Sequence, residues 1–215
     1  MANVVDKIPQ LFKGQTVYVL GGGPSLRELQ DSDLLKGRAT LAVNNALYLG
    51  NWVSTLFFGD AKWYWWNKDR VTQYAGPKYS LNIVVEGRDK SVVDEPDIQL
   101  IRKARTFGCS SDPGGIGWNR SSGAGAIDLA RMMGASRVVL LGFDMRRVND
   151  EKNYRKHEND GKTNPNPWPC FIAGFEKLAT ATNAIGFEVL NATPETALEC
   201  FPKINLTDAL AQFPL

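Results

Sequence analysis

The run Thr16-Val-Tyr-Val-Leu20 stops at Gly21-Gly22-Gly23-Pro24-Ser25, and no other feature of the chain restricts the fold as much. β-Branched and aromatic residues favour an extended strand, and a cluster of glycines ends one. Ser25-Leu-Arg-Glu28 then has the Ser-x-x-Glu form of a capping box, so the stretch predicts strand, tight loop and helix. In such a loop glycine lets the backbone approach an anion closely, and the helix start presents N–H groups at its positive end. Gly21, Gly22, Gly23, Pro24 and Ser25 are therefore candidates to hold a nucleotide phosphate; a tight turn with no ligand is the alternative. The loop is not a dinucleotide fingerprint, because Leu26 stands where the third small residue belongs, and no Gly-Lys-Ser/Thr follows.

The same grammar recurs along the chain. Ala39-Thr-Leu-Ala-Val43 runs into Asn44-Asn45, and Thr55-Leu-Phe-Phe58 into Gly59-Asp60. The aromatic cluster Ala61-Lys-Trp-Tyr-Trp-Trp66 opens a helix whose rings are expected in the core, and Tyr79-Ser-Leu-Asn-Ile-Val-Val85 is a further strand. Residues 87–120, rich in charge and glycine, read as a long surface excursion with short elements. Ser121-Ser-Gly-Ala-Gly-Ala-Ile-Asp-Leu-Ala-Arg-Met-Met133 is a helix stopped by Gly134, and Arg137-Val-Val-Leu-Leu141 a strand that ends at Gly142-Phe-Asp144. A polar segment over 145–170 reads as an embedded lid, followed by a helix near 171–184 and the strand Phe187-Glu-Val-Leu190. Alternating strands and helices predict a single α/β domain over 1–215, a Rossmann-like, mostly parallel sheet flanked by helices. Polar residues at strand ends matter because ligands in open α/β sheets bind beyond the carboxyl ends of the strands.

Composition narrows the function classes. With 43% apolar and 22% charged residues among 215, the chain is an ordinary globular one. A net charge of +2 carries no polyelectrolyte signature, so duplex nucleic acid is not an implied partner. Cys109, Cys170 and Cys200 lack metal-ligand spacing, which points to a reducing, cytoplasmic setting, and neither a leader segment nor a membrane span is read. Self-association is left open.

Several residues carry chemistry. Ser121, Ser122 and Gly123 put hydroxyls and backbone N–H groups at a helix start, suited to a ribose, phosphate or carboxylate, or to a bare N-cap. Asp60 and Asp144 follow strands and suit ribose hydroxyls or a metal, or else cap the next turn. His157 is the only histidine and lies in a polar stretch; it is a candidate general base, with a solvated surface histidine as the alternative. Arg146, Arg147, Arg155, Lys156 and Lys162 could neutralise a diphosphate or simply be solvated.

The ordered set Val17-Tyr-Val-Leu-Gly-Gly-Gly-Pro-Ser-Leu26, Asn44-Asn45, Phe58-Gly-Asp60, Ser121-Ser-Gly123 and Val139-Leu-Leu-Gly-Phe-Asp144 resembles two related families over residues 16–60 and 121–200. One is the bacterial CMP-sialic acid-dependent sialyltransferases; the other is the 6-hydroxymethylpterin diphosphokinase-like family, which includes small phage-encoded members. The first resemblance implies a metal-independent transfer of a sugar from a nucleotide-activated donor to a glycan or other hydroxyl acceptor. It places the nucleotide on Gly22, Gly23, Pro24 and Ser25, the sugar or ribose on Asn45 and Asp60, and the donor on Ser122 and Gly123. His157 would be the base, and Tyr154 would meet the leaving phosphate. Asn44-Asn45 stands where the family has Asn-Gln. The second resemblance implies diphosphate transfer from ATP to a pterin-like alcohol, with Mg²⁺ on Asp60 and Asp144. A non-catalytic protein that sequesters a nucleotide is the third reading.

Overall fold

The computed structural model describes residues 3–82, 95–104, 107–155 and 166–215. Eight strands form one sheet: β1 Thr16–Leu20, β2 Thr40–Val43, β3 Thr55–Phe58, β4 Lys78–Asn82, β5 Ile98–Ala104, β6 Gly115–Gly117, β7 Arg137–Leu141 and β8 Glu188–Asn191. Every ladder is parallel. A parallel sheet is covered on both faces, which is why β1, β2, β3 and β7 are almost continuously apolar and buried rather than alternating with charge.

Alternate residues enter separate cores. Val17, Val19, Leu41 and Phe57 point to one layer, while Tyr18, Leu20, Ala42 and Phe58 point to the other, as the two-residue period of a strand requires. The first layer is built by α3, Ser122–Met132, and α4, Trp168–Ala184. The opposite layer holds two 3-10 helices, Pro24–Leu29 and Asn44–Leu49, with α1 Ala61–Trp66, α2 Lys68–Gln73 and α5 Leu206–Gln212. In α3 every residue from Ala124 to Ala130 is buried, because the helix crosses the face of β1, β2, β3, β6 and β7. Its Gly-Ala-Gly-Ala start is what permits so close an approach to the sheet.

Strand order is β6-β5-β4-β3-β2-β1-β7-β8. The chain steps outward from β1 to the β6 edge, then returns across the other face through α3 to lay β7 against the free side of β1. The order therefore reverses between β1 and β7, and the loops leaving these strands diverge around a crevice at their carboxyl ends.

The structure departs from the sequence expectations in four places. The glycine loop leads into a 3-10 helix of 6 residues whose N-cap is Gly23, with no side-chain cap. The Ser25–Glu28 capping box does not form because the Ser25 hydroxyl is drawn to Asp144. Residues 87–120 hold two strands, β5 and β6, which extend the sheet; their Arg102, Lys103 and glycines hide the signal. Helix α4 starts at Trp168, ahead of the expected boundary, and α5 adds a terminal element. Of the polar segment at 145–170, the described part from 145 to 155 is tied down: Val148 and Glu151 exchange backbone hydrogen bonds, and Arg27 reaches Glu151 at 2.5 Å. No helix is long and apolar enough to cross a membrane among the described residues.

Candidate functional site

Five strand-end and helix-start segments meet around one cleft of about 410 Å³. Gly21, Gly22 and Gly23 leave β1, Asn44 and Asn45 leave β2, Asp60 follows β3, Gly142, Phe143 and Asp144 leave β7, and Ser121, Ser122 and Gly123 open α3; all line it. Pro24 is buried outside this lining, and Ser25 faces a second cleft instead. Tyr154 lies behind the wall, and His157 falls outside the described residues.

The glycine loop is shaped by its neighbour loop. A Cβ on Gly23 would stand 1.9 Å from Asp144 Oδ2, and one on Gly21 would stand 2.5 Å from the Gly142 carbonyl oxygen. These two glycines are needed because the β7 loop packs on them. The N–H groups of Gly21, Gly23 and Ser25 are already donated to Leu141 O, Gly142 O and Asp144 Oδ1. Three N–H groups of the loop are thus engaged from within, those of Gly21 and Gly23 by carbonyls of the β7 end and that of Ser25 by the Asp144 carboxylate. Ser25 also gives its hydroxyl to Asp144 Oδ2 at 2.8 Å. Burial pushes the Asp144 carboxyl above the usual carboxylate range, against the opposing pull of the Ser25 hydrogen bonds. Of the three glycines, only Gly22 has room for a Cβ, whose nearest neighbour among the described residues would be Asn153 Oδ1 at 3.8 Å.

The start of α3 contrasts with the glycine loop. Ser121 is its N-cap, taking the Ala124 N–H at 3.1 Å, while Gly125 N–H donates to the Ser121 carbonyl. The N–H groups of Ser122 and Gly123 have no partner among the described residues and lie in the cleft lining, at the positive end of an 11-residue helix. Arg120, Arg146 and Lys152 add cations to the same lining. Arg120 and the buried Asn119 both have left-handed backbone, with φ of 67° and 46°. Gly108 N–H donates to Asn119 Oδ1 and Asn119 Nδ2 donates to the Gly108 carbonyl, two hydrogen bonds that lock this turn and set Arg120 beside the helix start.

The other residues have defined partners. Asp60 caps α1, accepting the Lys62 N–H at 2.8 Å. Asn45 Oδ1 accepts from Trp63 Nε1, and its carbonyl accepts the Tyr154 hydroxyl at 2.5 Å. Tyr154 also donates its N–H to the Gly22 carbonyl, so this buried ring ties the β1 and β2 loops together, and burial pushes its hydroxyl pKa up. A hydroxyl held this way faces a carbonyl rather than the leaving phosphate that the resemblance assigns to it. Asn44 has φ of 51°, and its buried Oδ1 has no partner among the described residues. Arg147 donates to Asp150 O, and Arg155 lies 3.8 Å over the Tyr48 ring.

As a magnesium pair, Asp60 and Asp144 fit poorly, since both Asp144 oxygens are occupied by Ser25 and one Asp60 oxygen caps a helix. No group of three His, Cys, Asp or Glu residues suited to a metal occurs among the described residues.

Sequence reading missed the walls. Trp63, Trp66, Trp118, Trp168 and Phe171 bring aromatic rings to the cleft, and only the first two belong to the cluster assigned to the core. Trp118 packs against Gly59, where a Cβ would collide with its ring. The available signal was its position: Trp118-Asn-Arg120 immediately precedes the α3 cap.

Fold and site together define a doubly wound parallel α/β protein with an aromatic, cation-bearing cleft at its topological switch point. Searches of protein-family models, curated proteins and solved structures found no match to this chain.

Proposed function

We propose that the cleft binds a nucleotide-activated donor and that the protein is a transferase passing the donor's sugar to a hydroxyl acceptor. The observation that supports this most is the pairing of tryptophan rings with Arg120 and with two α3 N–H groups that have no partner among the described residues, all in one cavity. A base stacks on an indole face, worth about 1–3 kcal/mol, while phosphate takes the helix start and its neighbouring cation. Asn44 and Asp60 line the same cleft at the ends of β2 and β3, suited to sugar hydroxyls. The buried Asn44 oxygen, without a partner among the described residues, is a group that a ligand could satisfy by turning the amide. A CMP-sugar donor and the base role of His157 come from the resemblance to the sialyltransferases, and transfer at a hydroxyl needs such a base.

A thermal-shift panel of CMP-sialic acid, CMP, UDP-sugars and ATP with magnesium tests the reading. A cytidine compound is expected to raise the Tm, by an amount set by about 2.7 kcal/mol of added stability at a hundredfold excess over Kd. His157→Ala should keep that shift and abolish transfer. No shift with any nucleotide overturns the reading; AMP formation from ATP and magnesium replaces sugar transfer with diphosphate transfer.

A further inference from the structure

A second cleft, of about 520 Å³, opens on the other side of the β1 and β7 loops, at the carboxyl ends of β7 and β8. Gly142 lines both cavities, and the Ser25–Asp144 pair stands between them. The volume is that of a small-molecule site, and the position is the side of a parallel sheet where ligands bind.

Its wall is built rather than incidental. Phe143 N–H donates to Thr193 Oγ1 at 3.0 Å, Thr196 Oγ1 donates to Phe143 O at 2.6 Å, and Ala197 N–H donates to Asp144 O at 2.8 Å. Asn191, almost fully buried, holds the same turn from below through Thr193 N–H and Leu198 O. These bonds keep Glu195 at a left-handed φ of 46° on the rim. The cavity is thus shaped before any ligand arrives.

Its chemistry is opposite to that of the first cleft. The lining includes the aliphatic Leu29, Leu141, Ala192 and Ile204, with no aromatic ring among the described lining residues. Among the described lining residues there are three carboxylates, Glu28, Glu195 and Asp208, and one cation, Lys203. Arg146 pairs with Glu195 at 2.5 Å but lines the tryptophan cleft. An anion would meet net like charge here, whereas hydroxyl groups find carboxylate acceptors and an amine finds a counter-charge.

We propose that this cleft is a second ligand site, for a polyhydroxyl compound of mono- to disaccharide size that is neutral or carries an amine. The proposal goes beyond the nucleotide reading and does not depend on it.

Backbone-amide NMR titrations of the full chain with galactosamine, galactose and galacturonic acid test it. Shifts are expected around residues 25–29 and 191–208, with galactosamine binding severalfold more tightly than galacturonic acid and galactose between them. Glu28 and Asp208 are exposed, so the double variant Glu28→Lys/Asp208→Lys should fold and invert that order. No shift in this cleft with any of the three, an order the double variant leaves unchanged, or shifts confined to the tryptophan cleft overturns the proposal. CMP titrated in parallel reports at Trp118 and Ser122, so the two sites fail or hold separately.

Discussion

Gly22 and Gly23 are neighbours in a loop of three identical residues, yet the structure gives them opposite tolerances. Gly23→Ala would drive a methyl group into the Asp144 carboxylate, and overpacking of this kind costs about 1–3 kcal/mol. Among the described residues Gly22→Ala meets nothing closer than 3.8 Å, and the variant is expected within about 0.5 kcal/mol of the parent in urea denaturation. Ser25→Ala removes the hydroxyl that holds Asp144, at a cost of about 1–3 kcal/mol for a buried acceptor left unmatched. It also changes the pH dependence. The folded Asp144 pKa is raised above the unfolded value of about 3.9, so the native state retains the proton that the unfolded chain has lost, and stability falls as pH rises through that interval. Ser25 donates to the charged form and limits this loss. Urea midpoints taken across the pH range should therefore show a larger loss in Ser25→Ala than in the parent, extending to higher pH. None of this is visible in Gly-Gly-Gly-Pro-Ser as a string, because the partner atom arrives from β7, more than a hundred residues away.

Among elements, legibility follows how local the stabilising contacts are. Strands β1, β3 and β7 were readable to their end residues, since a fully buried parallel strand is a short apolar run. Helix α3 was readable because its cap and stop are local: Ser121 accepts Ala124 N–H, and Gly134 takes φ of 86°. The 3-10 helix after the glycine loop was not, since a long-range hydrogen bond from Ser25 decides against the capping box. Strands β5 and β6 were missed because they are held by non-local contacts. Arg102 in β5 pairs with Asp112 at 2.6 Å across the excursion that leads to β6. That guanidinium holds the Asp112 carboxyl down at about 2, so the contribution of this pair is full above pH of about 4 and is lost as pH falls towards about 2. Arg102→Gln should remove the part of the acid-side loss that lies in this interval, measured as a flatter stability profile between about pH 4 and 2. Both side chains are well exposed, so the effect is modest.

For the whole molecule, the decisive event is the return of the chain across the sheet. By bringing β7 beside β1, the α3 crossover gathers loops from four strands and its own N-terminus around one cleft. If that cleft takes a nucleotide base among its tryptophans, Trp118→Ala should weaken binding by about 1–3 kcal/mol, roughly five- to a hundredfold, measured by calorimetry with CMP. Equal affinity in parent and variant would remove Trp118 from the base site. What the sequence by itself determined is the α/β class, the parallel character of the sheet and the strand-end residues that face the cleft, because burial periodicity and turn chemistry act over a few residues. Only the tertiary structure decided that Asp144 takes the Ser25 N–H and hydroxyl, that the Gly21 and Gly23 N–H groups go to carbonyls, and that Trp118, Trp168 and Arg120 wall the cleft. Those outcomes depend on which loops meet after the crossover, and that is set by packing between distant segments rather than by any local preference.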